Sequence, residues 1–281
     1  MDAIRYLIPY EFSPTVALAT LLAGLLFATG QWAARRGGEP VGVWRGLAFW
    51  IGLGLTYAVL QTHIDYLSQH MFWVHRAQHL VLHHLGPILM VLAVPHAVMA
   101  RGLPAGLRER YLKPLWHHPL VHGSYRLLQN PVVASLLFVG IIYFWLMPSV
   151  HFAAMLNVAT YNAMNWSVLA EGLLFWWLIL DPRSPANGGL GFGVRMIMLW
   201  GVMPPQILLG AYIGLNNGVL FEVYNICGRA WAVSPLTDQQ IGGLLTWIPA
   251  SMMSVITALI VLRWWMRDSD RGPAAAQTEA G

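Results

Sequence analysis

The sequence predicts an all-α fold, a polytopic membrane helix bundle of about seven transmembrane helices, N-terminus outside and C-terminus cytoplasmic. Three observations lead there. Hydrophobic residues make up 57% of the 281-residue chain and charged residues only 10%, whereas soluble domains carry about 25% charged residues. Seven stretches stay apolar over the roughly 20 residues that a helix needs to cross the hydrocarbon. Lys and Arg concentrate in alternate connections between those stretches, which is the bias that orients membrane proteins.

The first stretch, 14–34, is longer than the apolar region of a signal peptide, and Asp2 and Glu11 precede it where a cleaved signal carries positive charge. It reads as an uncleaved span. The others are 47–66, 74–97, 132–148, 159–180, 194–215 and 241–266; the second is the least clean and the fourth is short. Pro87, Pro95, Pro204, Pro205 and Pro249 fall inside spans, where kinks open gaps between helices. Thirteen of the sixteen Lys and Arg follow odd-numbered spans, or the chain end, against Arg5, Arg76 and Arg229 on the other side. That places the N-terminus outside. Residues 1–267 are expected to form a single integral membrane domain. Within it, 101–130 is a cytoplasmic loop, and 268–281 is a disordered cytoplasmic tail.

Composition also excludes. No Lys or Arg run is dense enough for nucleic acid. The single cysteine, Cys227, rules out an internal disulfide and all-cysteine metal sites. No nucleophile triad, phosphate-binding glycine loop or zinc-protease motif is present, so the chain is expected not to be an enzyme.

Histidine is rare inside membrane spans, yet there are eleven here. His75, His79 and His83 recur every four residues, so a helix lines them along one side, about 6 Å apart. Their expected neighbours are His63 and Asp65 at the end of the second span, then His70, Met71, Met147, His151, Met155 and Cys227. Imidazole with thioether or thiolate suits copper, above all Cu(I). His75 and His79 are the leading metal ligands, with His63, His83 or a methionine completing the set. His70, His84, His96 and His151, taken singly, read as packing residues, and His117, His118 and His122 as solvated loop residues. Glu171, near the middle of the fifth span, is either paired with a ladder histidine or Arg76 or held neutral between helices.

The run His75-Arg76-Ala77-Gln78-His79, with Pro87 and Pro95 behind it, resembles the HMxQH segment of the multi-spanning CtaG family of cytochrome c oxidase assembly factors. Asp238-Gln239-Gln240-Ile241-Gly242-Gly243 with Trp247 is similar to that family's DQxxxG segment and its following Trp. Leu209-Gly210-Ala211 and Phe221 to Tyr224 agree more weakly. The chain departs from the pattern at Arg76, where the family has Met, at Tyr161 and Asn165, where histidines are expected, and at Thr246, which replaces a Met.

The resemblance implies a cytochrome c oxidase assembly factor of the bacterial inner membrane that assists copper insertion on the outer face. Its partners would be haem-copper oxidase subunits, a copper chaperone and the lipid bilayer. Two other readings stand beside it. One is a b-type haem membrane electron-transfer protein with histidines as axial ligands. The other is a proton or metal transporter using Glu171 and the ladder.

Overall fold

The computed structural model describes residues 11–278, with side chains through Asp270. Residues 1–10, Arg5 among them, and 279–281 lie outside the described residues, whereas 268–278 of the expected disordered tail continue the last helix. All regular structure among the described residues is helical. The main elements are α1 (Pro14–Arg36), α2 (Val43–Gln61), α3 (His63–His70), α4 (Phe72–Leu92), α5 (Pro95–Gly102), α6 (Pro119–Leu128), α7 (Pro131–Trp145), α8 (Pro148–Met155), α9 (Val158–Ile179), α10 (Phe192–Leu215), α11 (Val223–Ile226) and α12 (Pro235–Thr278).

Four helices, α1, α2, α10 and α12, are long and apolar enough to cross a membrane, and two bent pairs bring the number to six. Seven spans were expected. The difference lies in α9, which has the length, 22 residues, but carries Asn162, Asn165 and Glu171 and is not apolar enough alone. The second span stops at Gln61 rather than 66. Thr62 is extended there, and its hydroxyl accepts from the amide of Ile64 to cap α3. His63 and Asp65 therefore belong to a separate short helix. The third span breaks at Val94, a β-branched residue held at φ +54° ahead of Pro95, and α5 leaves α4 at 59°. The expected loop over 101–130 contains α6, which meets α7 at 73°.

The helices turn leucines outward: Leu18, Leu21, Leu22 and Leu25 on α1 and Ile197, Trp200 and Leu208 on α10 are exposed. That is the surface of a protein whose solvent is lipid. Inside, aromatic stacks fill the bundle, with Phe27 on Phe49 at 3.7 Å and Phe138 on Phe175 at 3.8 Å.

Three local devices hold the frame around α4. Asp238, in the first turn of α12, accepts from the amides of Phe72 (3.0 Å) and Trp73 (2.8 Å), the unpaired first turn of α4, and is ion-paired with Arg229. In the middle of α4, Pro87 has no N–H to give to the carbonyl of His83 four residues earlier. The helix widens to a π turn over Val81–Leu85, and the freed His83 carbonyl accepts instead from Trp176 Nε1 at 2.8 Å. Gly172 of α9 lies against the same carbonyl, where a Cβ would come within 2.7 Å of it. At the opposite end of the bundle, fully buried Arg195 donates to the carbonyls of Ile179, Asp181, Arg183 and Leu190. These contacts close the end of α9.

Candidate functional site: a buried histidine cluster

The first turns of α4 carry His75 and His79 inward, fully buried, with ring centres 4.2 Å apart. Their four-residue spacing brings them together as the sequence indicated. His83 does not continue the row: it lies inside the π turn Val81–Leu85, whose wider geometry changes the direction of its side chain relative to His79. It stacks on Phe138 at 4.0 Å and faces His84 at 4.9 Å. His63 is half-buried on α3, stacked with Tyr66 at 4.8 Å, and is not part of the buried group. A residue read as packing joins the pair instead: His151 of α8, fully buried, lies 5.1 Å from His75.

Hydrogen bonding distinguishes the rings. Arg76 can only donate, so its Nη1 makes His79 Nδ1 an acceptor (3.2 Å), and His79 Nε2–H donates to Asn165 Oδ1 (3.1 Å). His151 Nδ1–H donates to the Trp145 carbonyl (3.1 Å), leaving Nε2 to accept from the Tyr224 hydroxyl (3.0 Å). His75 makes no well-formed hydrogen bond on either nitrogen, its one polar contact being a poorly aligned one with the Ser68 carbonyl. Of the three clustered rings, it is the one with an uncommitted lone pair.

The four departures from the family pattern meet here. Arg76 Nε donates to Thr246 Oγ1 at 2.9 Å, Arg76 and Asn165 hold the two sides of His79, and the Tyr161 ring lies 6.2 Å from His75. The Tyr161 hydroxyl donates to Asp65 Oδ1 (2.7 Å), which also accepts from Gln78 (2.8 Å), while Gln69 donates to Oδ2 (3.0 Å). Burial pushes the Asp65 pKa above the usual carboxylate range, against the lowering effect of these three donors. Glu171 reaches neither a ladder histidine nor Arg76, and its Oε2 is buried without a partner. Sequence order hid these links, because the partners sit on different helices. The only signal of them was that each departure is polar inside an apolar chain.

A cavity of about 370 Å³ opens beside the cluster, lined by Glu11, Asp65, Gln69, Tyr161, Asn162 and Asn165, among others. It reaches the groups that touch His75 and His79. Among the described residues, no group of three or more His, Cys, Asp or Glu side chains is close enough together to hold a metal ion.

The fold and site define a multi-pass helical membrane protein with a polar, histidine-rich centre. The chain belongs to the cytochrome c oxidase caa3 assembly factor family, whose pattern matches residues 25–268. It is 25% identical over 278 residues to an uncharacterized protein of Mycobacterium leprae, covering 96% of this chain and 41% of that one. It is 26% identical over 288 residues to uncharacterized proteins of Mycobacterium bovis and Mycobacterium tuberculosis, covering 95% of this chain and 41% of each. The chain thus spans about two-fifths of the length of these relatives. No solved structure matches it.

Proposed function

We propose that this protein is an assembly factor for cytochrome c oxidase in the bacterial inner membrane, and that it handles copper as cargo at the outward-facing histidine cluster. The observation that carries the copper step is His75, a fully buried imidazole with no well-formed hydrogen bond on either nitrogen, next to His79. Neutral imidazole is a good Cu(I) ligand. The cluster lies at the end of the bundle whose connections are poor in Lys and Arg, the outer end by the charge bias. The 370 Å³ cavity gives an approach past Asp65 and Asn165.

In this reading copper meets His75 first. His79 joins only by giving up the hydrogen bond from Arg76, so capture competes with an existing contact and the metal is easily released. A weak site suits a protein that passes its cargo from a copper chaperone to oxidase subunits, and the role needs no catalysis. The haem reading fits less well. Two of the three clustered histidines are hydrogen-bonded on both nitrogens, and the space below them, about 20 Å³, has no room for a porphyrin.

The test is His75→Gln with His79→Gln, which keeps size and polarity while removing imidazole. The double variant should insert at normal levels, lose the copper that copurifies with wild type, and lower oxidase activity, partly recovered by added copper. Full oxidase activity with a stably inserted double variant would reject the cluster as the working site.

A further inference from the structure

Arg76 is a permanent cation that is 4% exposed, and among the described residues no carboxylate is within ion-pair distance of it. A buried charge without a countercharge is strongly unfavourable. Its hydrogen bonds to Thr246 and His79 go to neutral groups. The Thr246 hydroxyl hydrogen is itself committed to the Gly242 carbonyl at 2.8 Å.

Beside Arg76 lies a cavity of about 20 Å³ whose polar wall is Arg76, His79, His83, His84, Gln206 and Thr246; the rest is aliphatic, and no acidic residue lines it. His83, His84 and Gln206 are 1%, 4% and 5% exposed. The His83 ring has no hydrogen-bond partner, and the His84 ring and the Gln206 amide make no well-formed hydrogen bond, their one polar contact being with each other. Each neutral imidazole brings one N–H and one lone pair, and the amide brings two N–H and one carbonyl oxygen. Unpaired donors and one uncompensated positive charge therefore surround a space large enough for a single small particle. Water would satisfy the donors but would leave the charge.

We propose that this cavity binds one small monovalent anion of halide size, with Arg76 as its countercharge and the N–H groups of His83, His84 and Gln206 as donors. His83 and His84, consecutive within the π turn, are both buried and so reach the cavity together. The site is separate from His75 and needs no metal.

The test uses the full chain purified in detergent, with chloride replacing gluconate at fixed ionic strength and bromide as a second halide. Gluconate is too large for the cavity. The melting temperature of wild type should rise saturably with chloride and with bromide. Equal melting in chloride and gluconate would leave the cavity to water and overturn the assignment. Arg76→Gln should abolish the halide response, and a response retained in that variant would also overturn it. Should Arg76→Gln fail to accumulate, Gln206→Leu keeps the cation and removes a donor. Its half-saturating chloride should rise about tenfold, and an unchanged value rejects the site.

Discussion

At the scale of single residues, Arg76 bears most directly on the proposed copper step. It donates to His79 Nδ1 and keeps a positive charge beside the lone pair that copper would need. Arg76→Met removes both the competing donor and the repulsion. Cu(I) affinity should rise about tenfold or more, roughly 1.4 kcal/mol, read by competition with a chromophoric Cu(I) chelator. An unchanged or lower affinity would show that Arg76 does not oppose the metal. The pairing of His75 with His79 was legible because four-residue spacing on a helix fixes a common face. The roles of Asn165, Tyr161 and His151 were not, since each depends on a partner many residues away, Asn165 on His79 and His151 on Tyr224. An imidazole that packs and one that ligates are the same residue in a sequence, and only the neighbours separate them.

At the scale of elements, Pro87 was readable as a disturbance in the third span but its form was not. A proline removes one hydrogen bond; whether the helix kinks, breaks or widens depends on what takes the freed carbonyl. Here Trp176 takes it, and Gly172 lets α9 come close enough for that bond to form. Gly172→Ala puts a methyl group against the His83 backbone, so α9 and the π turn must move apart. The expected loss is about 1–3 kcal/mol, seen as a lower melting temperature in detergent together with a change in tryptophan fluorescence from Trp176. The early end of the second span was hidden for a related reason. Thr62 within an otherwise acceptable run became a cap, a choice made by the packing of α3 against α4.

At the scale of the whole molecule, composition and charge made the helical membrane bundle legible before any residue was singled out. The number of spans was less so, because helices such as α9 are polar where they face the cluster and rely on neighbours to cover them. The charge bias predicts an outside N-terminus and a cytoplasmic C-terminus. A reporter that fluoresces only in the cytoplasm should work when fused after Gly281, and a phosphatase that needs export should be silent there; an active phosphatase would reverse the orientation and move the cluster to the inner side. Orientation also bears on order in time. The turn that starts α4 is closed by Asp238, 166 residues downstream of Phe72, and Asp238 is in turn held by Arg229. A ribosome feeding this chain into the membrane has therefore delivered the histidine helix long before its cap exists. Until Asp238 follows, the cluster's end of that helix stays unfastened, and the entry of α12 is what completes it.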